Sequence, residues 1–163
     1  MAYYIRVLST SSDPVPLQQI RAALARERLN AILTPEEGFD SEWKQVTLSH
    51  AGGEAIAIIE RNLVEAGSLA EGELDEFNEE ISISKPESAA RWLGEFFPKV
   101  RCIYAFQLLK GKDVGDGWDI LGEAKNAIWR QAPAIIQADG EGFSDEDGYH
   151  ILWQFSESVK GTW

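Results

Sequence analysis

Residues 139–148, DGEGFSDEDG, put five carboxylates and three glycines into ten positions. A calcium loop needs oxygen ligands at alternate positions, a glycine sixth and a glutamate twelfth. Counting from Asp139 makes Glu141 third, but Phe143 falls fifth and Ser144 sixth. Setting Gly148 sixth makes Phe143 first and Gln154 last. Neither register fits, so no metal ligand is assigned. The stretch reads first as a turn, since glycine tolerates positive φ and aspartate bonds its own local backbone. Phe143 has two readings: a ring folded back onto the core, or an exposed anchor ringed by acids for a basic partner.

A second acidic stretch runs from Glu71 to Glu80 and includes Glu73, Asp75, Glu76 and Glu79. It reads as a solvated helix face, or as a surface that steers a basic protein into contact. We take Asp139, Glu141, Phe143, Asp145 and Glu146, with Glu73, Glu76 and Glu80, as candidate partner-binding residues.

Nucleophilic and redox chemistry find little footing. His50 and His150 are the histidines, and no Gly-x-Ser-x-Gly elbow accompanies either. Cys102 is the single cysteine, which excludes an internal disulfide and a cysteine-based zinc cage. Its setting, RCIYAF, suits a buried, inert thiol. Gly111, Gly115 and Gly117 lack both the P-loop lysine–serine pair and the dinucleotide spacing. No catalytic residue and no cofactor is assigned.

A formal net charge of −12 weighs against nucleic acid, which needs cations along its phosphates, and against anionic membranes. It favours a basic protein partner. No apolar run reaches about 20 residues, and no basic region leads into a long apolar stretch, so a cytoplasmic protein is expected.

The elements that must hold these residues follow from periodicity. Residues 2–8 (AYYIRVL) and 101–109 (RCIYAFQLL) read as strands. Residues 43–50 and 54–60 read as a hairpin turning at Ala51-Gly52-Gly53; the run AIAII suggests cover on both faces. Asp13-Pro14 starts a helix carrying Leu17, Ile20 and Leu24, with Arg21, Arg26 and Arg28 off that stripe. Residues 34–42 read as an acidic loop. Leu74, Phe77 and Ile81 mark a short helix. Ser84 and Glu87 have capping-box spacing, ahead of a helix whose face is Ala89, Trp92, Leu93, Phe96 and Phe97. A later helix presents Trp118, Leu121, Lys125, Ile128, Trp129 and Ala132, ends at Pro133, and precedes strands at 134–137 and 151–155.

The expected fold is therefore α+β in one domain, residues 1–163. A ferredoxin-like βαββαβ core at 1–110 has helices on one face of an antiparallel sheet, and a helix–hairpin extension follows at 111–163. The expected function is non-enzymatic: a small acidic protein that binds another protein, as an inhibitor or immunity-type module for a basic partner. Two rivals stand beside it. One is a carboxylate-based or divalent-cation-dependent enzyme. The other is a homodimer or larger assembly, paired through an edge strand such as 151–155.

Overall fold

The strand nearest the N-terminus, β1 (Tyr4–Ser9), lies deep inside the sheet of the computed structural model. The structure describes residues 2–82, 87–144 and 151–153. Beyond β1 the order is α1 (Leu17–Arg26), β2 (Ala31–Phe39), β3 (Glu42–His50), β4 (Ala55–Leu63), α2 (Leu69–Ser82) and α3 (Glu87–Phe96). Then come β5 (Cys102–Leu108), α4 (Gly117–Trp129), β6 (Ala134–Ala138), β7 (Gly142–Ser144) and β8 (Ile151–Trp153). The α+β class holds: the strands form one antiparallel sheet in the order β2-β3-β4-β5-β1-β6-β7-β8.

That order departs from the ferredoxin-like one. There, β1 would sit between β5 and β4; here β5 lies between β4 and β1. The cause is the excursion between β4 and β5. One helix would return the chain to the start of β4 and give a parallel strand. Two helices bring it back to the end where β4 stops: Cys102 faces Leu63, and the Val64 N–H donates to the Arg101 carbonyl at 2.9 Å. β5 therefore runs antiparallel beside β4 and displaces β1 by one place.

Helices also cover both faces, not one. Alternation along the strands sends Val7, Tyr104, Phe106 and Ile136 into a core with α1 and α4. Leu8, Ile103 and Ile135 go to an opposite core with α2 and α3. The apolar runs in β5 and β6 fit a sheet buried on both sides.

Four local expectations shift. Residues 34–42 are not a loop. Residues 31–39 form β2, an edge strand with register breaks at Pro35/Glu37 and Glu37/Gly38. Proline and bulges belong on sheet edges, where a missing N–H costs nothing and pairing with another chain is discouraged. Second, α1 starts at Leu17, after Pro16, because Val15 precedes a proline and is pushed out of helical geometry. Val15 is instead held in the core. Its carbonyl accepts from the indole N–H of Trp43 at 2.7 Å, and its N–H donates to the Tyr104 hydroxyl at 3.3 Å. Third, α4 buries Gly117, Ile120, Leu121, Ala124, Ala127 and Ile128, while Trp118 faces outward. Two stripes fit this helix, and the one with small residues packs. Lys125 is half-buried, and burial pulls its ammonium pKa down. Fourth, the acidic stretch contains β7; among its described residues, 139–141 form the tight turn.

On α3, Ala89, Leu93 and Phe96 are buried as the spacing predicts, with Phe97 buried just beyond. Trp92 stays partly exposed, stacked on Phe96 at 5.2 Å. The Ser84 cap lies outside the described residues.

Candidate functional site

The two acidic stretches, some 60 residues apart in the chain, meet around Arg6. This arginine is the lone charge in the β1 run YIRVLS, and strand alternation puts it on the α2 side with Tyr4 and Leu8. Its Nε donates to Glu73 Oε2 at 2.7 Å, and its Nη1 donates to Gln137 Oε1 at 2.7 Å and Asp139 Oδ1 at 2.8 Å. The guanidinium lies 4.9 Å from the Tyr4 ring centroid and 5.9 Å from that of Phe77. Asp139 also accepts the Tyr4 N–H through Oδ2 at 3.0 Å, so one carboxylate locks the turn to β1 and orients the arginine.

Glu76 and Glu80, further along α2, are exposed. Burial first, then Glu76 and Asp139, push the Glu80 carboxyl up from its ordinary 4.5; Arg6 acts the other way. The sign follows. A raised folded-state pKa means a contribution present below the ordinary value and lost as pH rises through the shifted one. Glu80→Gln should therefore raise the melting temperature at pH 7 in low salt and leave it unchanged near pH 3. Solvent screening holds the gain to about 0.5 kcal/mol or less. Thermal denaturation at the two pH values checks it; a loss of stability at pH 7 would contradict it.

Phe143 does not join this surface. It is 1% exposed and packs edge-on to Phe77 at 5.4 Å and against Phe97 at 5.6 Å. In β7 its side chain falls on the sheet face that α2 and α3 cover. Asp145, Glu146 and His150 lie outside the described residues.

Beyond the turn, Glu141 accepts a hydrogen bond from the Tyr3 hydroxyl. Here the chain forms a cleft of about 660 Å³, lined in part by Tyr3, Ile5, Leu108, Trp118, Asp139 and Glu141. Tight backbone contacts fix its far wall. A Cβ on Gly111 would lie 2.3 Å from the Ala55 carbonyl oxygen, and one on Gly117 would lie 2.3 Å from that of Gly111. Only glycine lets the 3-10 turn Lys110–Asp113 and the start of α4 nest on β4, and that nesting sets Trp118 at the cleft. The indole N–H of Trp118 donates to Asp113 Oδ1 at 3.1 Å, and Lys112 Nζ pairs with Asp113 Oδ2 at 2.9 Å.

His50 clasps the same turn. Its Nε2 donates to the Gly111 carbonyl at 2.7 Å, and its Nδ1 lies 3.8 Å from Asp116 Oδ1. The carbonyl contact places the proton on Nε2 and leaves the lone pair on Nδ1, the atom that faces Asp116. Cys102 is fully buried, and burial pushes its thiol up to about 11. Among the described residues, no three His, Cys, Asp or Glu side chains are arranged to hold a metal ion, and no helix is long and apolar enough to cross a membrane.

Sequence reasoning missed Tyr3, Arg6 and Trp118. For Arg6 a trace existed, a single cation inside an otherwise uncharged strand. For Trp118 the second stripe on α4 hid its outward position. Comparison with known protein families, curated proteins and solved structures returned no match.

Proposed function

We propose that this chain acts by binding a basic protein through the sheet end where α2 and the β6–β7 turn meet. One observation supports it above the rest: Glu73 and Asp139, from two distant segments, are drawn together on Arg6, and Glu76 and Asp139 lie near enough to Glu80 for their charges to act on it. A field of that sign accelerates encounter with a cationic surface and repels anionic competitors. Arg6 holds two of these carboxylates in place, so part of the surface is presented rigidly and loses little entropy on contact.

The test is capture from a native lysate with the wild-type chain and a Glu76→Lys/Glu80→Lys variant, at low and at high salt. The wild type should retain a basic protein at low salt, and the variant should retain at least about tenfold less. Raising the salt from 0.05 to 0.5 M (rough values) should release it, because exposed charges are screened over about a Debye length. Equal capture by the variant, or retention indifferent to salt, would sink the proposal. The rival reading as a homo-oligomer draws on β8, which ends the sheet order among the described residues; a monomer in sedimentation at high concentration would dismiss it.

A further inference from the structure

The cleft beside Trp118 has the chemistry of a receptor for one kind of side chain. We propose that it takes a single basic side chain, lysine or arginine, from the partner. The assignment rests on the acidic-surface reading above and names where that partner is anchored.

Four features of the cleft support it. Its volume of about 660 Å³ lies in the range of small-ligand sites. Ile5 and Leu108 supply apolar lining, which suits the methylene stem of a basic side chain. Tyr3 and Trp118 add two electron-rich rings, and such rings attract ammonium and guanidinium groups over their faces. Trp118 is 51% exposed. Its indole N–H is held by Asp113, which fixes the ring while leaving it accessible. Glu141 and Asp139 add negative charge to the same lining. Glu141 meets Tyr3 through Oε2, and a carboxylate has lone pairs for further donors.

Other ligand classes fit less well. An anion would face both carboxylates. A wholly apolar ligand would strip water from them without giving a hydrogen bond in return. Lys112, a cation of the lining, is paired with Asp113, and Asp139 is paired with Arg6, so the negative charge open to a ligand is chiefly that of Glu141. The Tyr3 phenol reports the same field: burial, the Glu141 hydrogen bond and the charges of Glu141 and Asp139 all raise its pKa. Burial disfavours a charge of either sign; the part owed to the two carboxylates is the part that favours a cation.

The probes are N-acetyl-lysine methylamide and N-acetyl-arginine methylamide, with the neutral N-acetyl-norleucine methylamide as control. They are titrated into the full chain, and the indole N–H resonance of Trp118, assigned from Trp118→Phe, is followed by NMR. The basic compounds should shift it saturably in the millimolar range, at least about tenfold more tightly than the norleucine compound. Glu141→Gln, followed by the same resonance, and Trp118→Ala, followed by the backbone amide of Gly140 in the cleft lining, should each weaken the lysine compound by about fivefold or more, with circular dichroism unchanged. No saturable shift, or equal binding of the norleucine compound, overturns the assignment. So does unchanged affinity in both variants. The two readings fail separately. If α2 charge reversal abolishes capture of a basic protein while Trp118→Ala and Glu141→Gln capture it fully, the cleft assignment falls and the acidic surface stands. If the lysine compound binds as expected but wild-type chain captures no basic protein, the cleft stands as a cation site and the partner reading falls.

Discussion

Arg6→Leu is expected to destabilise the fold by about 2–3 kcal/mol, less than the ~3–5 kcal/mol of a fully buried ion pair because Glu73 and Asp139 keep 26% and 35% exposure. The Arg6 side chain is only 14% exposed, and its three hydrogen bonds run to three separate elements: α2, β6 and the turn after it. Leucine would preserve much of the packing volume against Tyr4 and Phe77. It would leave Gln137, 3% exposed, without a donor for Oε1, and Glu73 and Asp139 facing each other without the guanidinium between them. The penalty lies in what remains unpaired, not in the lost attraction alone. A second substitution discriminates the two. Arg6→Leu/Glu73→Leu should recover part of the loss, because it removes one stranded carboxylate along with its partner. Urea unfolding should show a lower midpoint with an unchanged slope. A loss below about 1 kcal/mol would mean that the network is solvated and does not fix the site.

The second large effect is alkaline. Cys102 and Tyr104 sit next to one another in register-matched β5, both buried, with Arg61 beside them. Burial, above all, pushes the thiol from 9.0 up to about 11 and the phenol from 10.0 up to about 12; Arg61 offsets both only in part. The unfolded chain releases these protons at the ordinary values, while the folded chain holds them. Stability is therefore intact below pH 9 and declines as pH rises through 11 and 12. At 1.36 kcal/mol per pH unit, each group contributes a loss on the order of 2–3 kcal/mol. Urea midpoints from pH 7 to 12 should trace this decline. Cys102→Ala, although less stable at pH 7, should fall less steeply between pH 9 and 11. Identical slopes for the variant and wild type would remove the thiol from the account.

These residues also show how far the sequence could be read. Cys102 sits in an apolar strand run, and a buried thiol follows from that setting alone. The hairpin at Ala51-Gly52-Gly53 and the α3 stripe were legible for the same reason: local composition and local structure agree. β2 was hidden because Pro35-Glu36-Glu37-Gly38 is loop chemistry, and only the edge position makes it admissible in a strand. Strand order was beyond reach, since β5 takes its place through a two-helix path whose return point is a tertiary fact. The site divided in the same way. That acids at 71–80 and 139–141 carry charge was plain; that they meet across Arg6 depends on β1 and β6 pairing. Phe143 offered two readings, and its neighbours Phe77 and Phe97 decide for the core.

The placement of β1 has a consequence for how the molecule comes to be. Tyr4 pairs with Gln107, and Ile5 pairs with both Phe106 and Ala138, so the strand's two neighbours are synthesised about 100 and 130 residues after it. Contacts of such long sequence separation slow folding, because loop closure must precede the reward. The stretch YIRVLS therefore leaves the ribosome with no lasting mate, exposing an apolar edge that invites aggregation until β5 and then β6 arrive. The arginine in its middle is a charge in just the segment that must stay soluble while it waits.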